Sequence, residues 1–147
     1  MPADDDSLLF LRAPRSLRRA PIRAFHKQLQ DQVCVGEHFT VLMTDDRELR
    51  RLNRQFLDKD YPTDVLSFPS RDGEHIGEMA ISVERARDQA AERGHSLDQE
   101  ISILMLHGAL HLMNMDHEKD RGRMARAETR WRKRLGLPAG LLERTRP

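Results

Sequence analysis

Apolar positions along the chain fall into short blocks of two different periods, and the blocks alternate. Ser7-Leu-Leu-Phe-Leu-Arg12 is a short apolar run ahead of Pro14 and predicts a strand. From Leu17 to Val33 the apolar residues Leu17, Ala20, Ala24, Phe25 and Leu29 recur about every 3.6 residues, predicting a helix with a basic outer face. His38-Phe-Thr-Val-Leu-Met43 is β-branched and aromatic, as a strand requires. Thr44 then predicts a helix N-cap, with Asp45, Asp46 and Glu48 in a first turn that favours negative charge, and this helix runs to about Phe56. Asp64-Val-Leu-Ser-Phe68 is a further strand, closed by Pro69. A turn at Arg71-Asp-Gly73 leads into Ile76 to Ser82, its partner across a long hairpin.

Three helices complete the pattern. Val83 to Arg93 ends at Gly94, a residue suited to the left-handed stop of a helix. Ser96-Leu-Asp-Gln99 is a capping box, in which the hydroxyl accepts from the backbone of Gln99 and the Gln99 side chain returns to the cap. The helix it opens is apolar around most of its circumference, at Ile101, Ile103 to Leu106, Ala109, Leu110, Leu112 and Met113, so it belongs in the middle of the core. The last, Lys119 to Leu135, is charged apart from the stripe Met124, Ala127 and Trp131, and stops at Gly136 before Pro138. Strand, helix, strand, helix, two strands and then helices describe an α+β domain rather than repeated βαβ units. The expectation is one domain over residues 1–147, with a central sheet of about four strands packed by about five helices.

Composition removes several alternatives. The chain has 147 residues, 38% hydrophobic and 33% charged, a length that suits one core and one site without a separate cofactor domain. Its longest apolar stretch, Ile101 to Met115, is interrupted by His107 and His111 and falls short of the roughly 20 residues that span a bilayer. The start, Met-Pro-Ala-Asp-Asp-Asp, has no basic segment and no apolar core of a signal peptide, and one cysteine, Cys34, cannot close an internal disulfide. A cytoplasmic protein without a membrane segment is the expectation, with Cys34 a small core residue. The net charge of +1 is a sum of unlike parts. Residues 1–30 carry six Lys/Arg against three Asp and residues 118–147 carry ten against four, whereas residues 31–117 carry nine against seventeen. Basic ends around an acidic middle make the segments Arg12 to Lys27 and Lys119 to Arg134 candidates for phosphate contact.

Chemistry is concentrated in the apolar helix. His107 and His111 stand at i and i+4, so their rings share a face one turn apart, the spacing at which two imidazoles can hold one metal ion. His117 follows after five intervening residues and can return to the same ion if the chain turns sharply after the helix. Asn114, which tolerates the left-handed conformation, stands where that turn is needed. An all-nitrogen set favours Zn²⁺ over Mg²⁺ or Ca²⁺, and three protein ligands leave a fourth position for water, the arrangement of a catalytic zinc. Asp116, Glu78 and Asp64 are candidate carboxylates to support the ligands. His26, His38, His75 and His95 lack such spacing and read as incidental. The same three-histidine spacing occurs in metzincin proteases, where a Glu beside the first His is the general base. Here that residue is Gly108.

Two segments resemble the YbeY family of bacterial metal-dependent endoribonucleases, which act in maturation and quality control of ribosomal RNA. His107-Gly-Ala-Leu-His-Leu-Met-Asn-Met-Asp-His117 is similar to that family's HGxLHLxGYDH motif, and Asp60-Tyr-Pro-Thr-Asp-Val-Leu-Ser-Phe-Pro69 to its DxPTDVLSFP segment. The resemblance covers roughly Leu8 to Gly136. It implies an α+β fold, one Zn²⁺ held by His107, His111 and His117, and hydrolysis of single-stranded RNA near the 3′ end of small-subunit ribosomal RNA, with the small subunit or its assembly factors as partners. Asn114 stands for the family's Gly, Met115 for its Tyr, and Gly77-Glu78 for its GD. Leu57 occupies the place where many members carry an Arg implicated in catalysis. A Leu cannot neutralise a phosphodiester transition state, so Arg54, on the same helix, or Lys59 is the expected substitute. Two other readings stand beside this one. One is a zinc hydrolase of amides or small esters built on the metzincin-like spacing. The other, motivated by Leu57, is a non-catalytic ribosome-assembly factor whose metal is structural.

Overall fold

A computed structural model describes residues 7–60, 63–115 and 120–144. Four strands, β1 (Leu8–Phe10), β2 (His38–Thr44), β3 (Val65–Asp72) and β4 (His75–Ser82), form one sheet in the order β1-β2-β4-β3. β1 runs parallel to β2 and β2 parallel to β4, while β3 pairs antiparallel with β4 through Leu66 opposite Ala80, the predicted hairpin. The helices are α1 (Arg19–Gln28), α2 (Asp46–Leu57), α3 (Val83–Arg93), α4 (Leu97–Leu112), α5 (Arg123–Arg134) and the short α6 (Leu141–Arg144). The domain is therefore α+β with a mixed sheet, as the alternation of periods predicts. Among the described residues no helix is long and apolar enough to cross a membrane.

Alternation along the strands divides the core in two. Phe39, Val41, Met43, Met79 and Ile81 project to one face and pack against Ile101, Leu104, Met105 and Ala109 of α4. Leu42, Leu66, Phe68 and Ala80 project to the other, where Leu49 and Leu52 of α2 cover them. Ser96 closes the predicted capping box, accepting from Gln99 N at 3.1 Å while Gln99 Oε1 accepts from Ser96 N at 3.0 Å. Helix α4 is buried along nearly its whole length, so truncating Leu104, fully enclosed, costs about 2–5 kcal/mol.

Several boundaries differ from the sequence pattern for local reasons. Helix α2 is capped by Asp45, whose carboxylate accepts from Glu48 N at 3.0 Å, and Thr44 instead ends β2 opposite Ser82. Strand β3 continues past Pro69 to Asp72. It lies at the sheet edge, where proline's missing N–H faces outward and costs no ladder bond. The helix predicted over Leu17 to Val33 starts at Arg19 and ends in a π-helical turn, Leu29–Val33. The last long helix begins at Arg123 after Gly122, which takes φ +84°, and the predicted start at Lys119 lies outside the described residues. Helix α6 has no counterpart in the pattern.

Candidate metal centre

Helix α4 presents His107 and His111 together, with ring centroids 4.9 Å apart and planes at 73°. The helix then ends as its Asn predicts. Asn114 takes φ +66°, its N–H donates to His111 O at 2.9 Å, and Met115 N–H donates to Leu110 O at 3.2 Å. This pair of bonds is a Schellman stop, and it ends the helix ahead of His117 in the sequence. His117 and Asp116 themselves lie outside the described residues.

His107 is only 8% exposed and is held from behind. Its Nδ1–H donates to Glu128 Oε2 at 2.8 Å, which fixes the ring with Nε2 on the side away from Glu128. Glu128 on α5 is fully buried, and its Oε1 accepts the backbone N–H of Leu142 at 2.8 Å. Gly140 makes room for it, since a side chain there would overlap the carboxylate. A buried carboxylate behind a histidine fixes the ring and raises its basicity toward a metal. Of the carboxylates read as supports from the sequence, neither Glu78 nor Asp64 is the one that meets His107 Nδ1, and Asp116 lies outside the described residues. The stripe Met124, Ala127, Glu128, Trp131, with a carboxylate inside an apolar series, carried the signal.

Both histidines line a cavity of about 280 Å³ with Asp64, Ser67 and Leu141. Asp64 thus shares the cavity. Glu78 does not: it faces the α2 side of the sheet, where it accepts from Ser70 Oγ at 3.2 Å. Gly108 is pressed against the sheet. Its carbonyl accepts from Ser67 Oγ at 3.3 Å, and a Cβ there would come within 2.8 Å of Met79 Sδ. The position of the metzincin general base is therefore empty of a carboxylate, and a side chain there would have to displace the end of Met79.

Arg54 is not brought to the histidines. It lines a separate cavity with Arg12, Arg47, Arg50 and Arg51, and lies 3.8 Å from Asp60. Leu57 is about half exposed at the end of α2, and Lys59 follows it on the surface. The basic ends are partly neutralised, with Arg18 on Asp98, Lys27 on Asp31 and Arg132 on Glu143. On α5, Arg123, Arg126, Arg130 and Arg134 are exposed at helical spacing, opposite the buried stripe that carries Glu128.

Three of the four remaining histidines, His26, His75 and His95, make structural contacts. His26 Nε2 bonds Phe39 O at 2.8 Å inside the core. His75 pairs with Thr40 Oγ1 at 3.1 Å. His95 Nε2 lies 2.6 Å from Glu100 Oε1, and Arg144 reaches both oxygens of that carboxylate at 2.7 and 2.8 Å. Burial pushes the Glu100 pKa up, but the Arg144 and His95 hydrogen bonds outweigh it and hold the carboxyl below its ordinary value. Burial also pushes the Cys34 thiol up to about 12, as befits an inert core residue.

The fold and the pattern define a class: a small α+β domain whose buried central helix carries the first two members of a His-x3-His-x5-His series, backed by a buried carboxylate. The family profile described as Endoribonuclease YbeY matches residues 15–136. The chain is 60% identical over 141 residues to an Endoribonuclease YbeY of Solibacter usitatus, covering 96% of this chain and 95% of that one. It is 52% identical to one of Koribacter versatilis over 71% and 69% of the two chains. The solution structure of TM1509 from Thermotoga maritima matches in fold with a TM-score of 0.59 at 24% identity, over 84% and 85% of the chains. This chain belongs to the YbeY endoribonuclease family.

Proposed function

We propose that the chain is a zinc-dependent endoribonuclease that prefers single-stranded RNA and acts in the cytoplasm on the 3′ end of small-subunit ribosomal RNA and in ribosome quality control. The observation that carries this reading is the pairing of His107 and His111 over one cavity, with His107 Nδ1 tied to Glu128. The donor set fits zinc: two imidazoles one turn apart, one oriented by a buried carboxylate, on a helix that stops at Asn114, three positions before a third histidine in the sequence. His107, His111 and His117 would hold it. Bound there, zinc supplies Lewis-acid stabilisation of a phosphoryl oxygen and water of lowered pKa.

The rest of the chemistry falls to the chain. Gly108 keeps α4 close to the sheet, and Leu141 of α6 lines the cavity together with the two histidines. The exposed arginines of α5 suit the RNA backbone, and Arg54, on the other side of the sheet, suits a distant phosphate rather than the reacting one. The pre-ribosomal small subunit is the proposed partner. The test is cleavage of a single-stranded RNA bearing the 3′ end of small-subunit ribosomal RNA by metal-replete protein and its His111→Ala variant. Cleavage that is lost in the variant supports the reading, and cleavage that persists rejects it.

A further inference from the structure

Hydrolysis of a phosphodiester needs a group to take the proton that the attacking water loses. In the proteases of the same histidine spacing that group sits beside the first histidine, a place taken here by Gly108, which packs against Met79 and Ser67 and carries no carboxylate. Glu128 is spent, with one oxygen on His107 and the other on Leu142. Glu78 is on the wrong face of the sheet. Among the described residues, Glu92 shares a neighbouring cavity with His107 but not with His111, which leaves Asp64, just ahead of β3. It lines the cavity that holds both histidines, and among the described residues lining that cavity it is the sole carboxylate.

Asp64 is also held as a base should be. Oδ1 accepts from Val65 N at 2.8 Å and Oδ2 from Gln89 Nε2 at 3.2 Å, while the Asp64 carbonyl accepts from Ser82 N at 2.9 Å. Strand β4 and helix α3 therefore fix the backbone and the carboxylate separately. The contact also sets the Gln89 amide, because only its NH₂ end can donate to a carboxylate. Oδ1 accepts also from Thr63 Oγ1 at 3.5 Å, so Oδ2 is the oxygen with a lone pair left to accept from a water.

We propose that Asp64 is the general base of RNA hydrolysis at this cavity and that Gln89 is its positioning residue, an inference that rests on the endoribonuclease reading above. Water oxygen bonds to phosphorus as one of its protons passes to the Asp64 carboxylate. The bond from phosphorus to the leaving nucleotide oxygen breaks, and that oxygen takes the proton from Asp64, which returns to its charged form. No oxidant or reductant enters.

The experiment uses the full chain and its Asp64→Asn, Asp64→Glu, Gln89→Leu and His111→Ala variants, measuring kcat and KM on single-stranded RNA, zinc content and RNA affinity. Asp64→Asn is expected to lower kcat by about 100-fold or more, with zinc content and RNA affinity within about twofold of wild type. Asp64→Glu recovers part of the loss. Gln89→Leu lowers kcat by about tenfold and leaves KM unchanged, a split that a merely structural role would not produce. The inference is overturned if Asp64→Asn cleaves as wild type while His111→Ala is inactive, or if Asp64→Asn loses its zinc. If wild-type protein does not cleave RNA at all, the endoribonuclease reading falls first and this inference with it.

Discussion

Replacing Glu128 by Gln keeps the volume of the side chain and removes one acceptor. In the native arrangement two donors, His107 Nδ1–H and Leu142 N–H, each reach a carboxylate oxygen at 2.8 Å. A glutamine offers one oxygen and one NH₂, so one of the two donors must face another donor. If the NH₂ faces His107, the ring shifts its proton to Nε2, the nitrogen required for coordination. If it faces Leu142, the buried N–H loses its partner at a cost of about 1–3 kcal/mol, and the loop around Gly140 moves away from the cavity. Loss of such a partner behind a metal-binding histidine costs about 10- to 100-fold in metal affinity, which is about 1.4–2.8 kcal/mol. The assay is competition for zinc with a chromophoric chelator at neutral pH, run beside urea unfolding of the metal-free protein. The account predicts weaker zinc binding in Glu128→Gln by at least about tenfold. Zinc affinity equal to wild type refutes the idea that Glu128 orients His107.

Other substitutions separate the parts of the argument. Gly140→Ala inserts a methyl into the space of the Glu128 carboxylate and should weaken zinc binding in the same competition assay, in the direction of Glu128→Gln. Glu78→Gln, on the α2 side of the sheet, should leave both zinc content and RNA cleavage within about twofold of wild type. The depressed pKa of Glu100 gives stability that is present above the ordinary carboxylate pKa and is lost as pH falls through the lowered one. Urea midpoints measured from about pH 7 down to about pH 3 should therefore decline less steeply in Glu100→Gln than in wild type. Removing the side chain in Glu100→Ala strands Arg144 and should cost about 3–5 kcal/mol at neutral pH by the same measurement. Cys34 should resist alkylation at pH 8 in the folded protein and react once it is unfolded in urea.

Much of the site was legible along the chain because its determinants are local. A capping box and an uninterrupted apolar circumference define α4, i and i+4 spacing puts its two histidines on one face, and Asn114 marks its stop. What escaped depends on contacts between distant segments. Gly77 to Ile81 is nearly all apolar, so its alternation does not say which side Glu78 faces, and the pairing with β2 and β3 decides it. Four residues of α6 are too few for a period, and the segment is held instead by Glu128 and Arg132 of α5 and Glu100 of α4. Glu128 was written as a carboxylate inside the stripe of Met124, Ala127 and Trp131, a pattern that has meaning only once a buried donor is known to meet it. His95 gained its role in the same way, through a carboxylate that shares it with Arg144.

On the proposed reading, three histidines on and after α4 make this chain a metal-dependent ribonuclease. The most direct test strips the purified protein with a chelator, adds zinc back in measured steps and follows cleavage of a single-stranded RNA. The account predicts that the stripped protein is inactive and that activity returns and saturates at about one zinc per chain. Cleavage undiminished in the stripped protein, or activity that zinc does not restore, contradicts it.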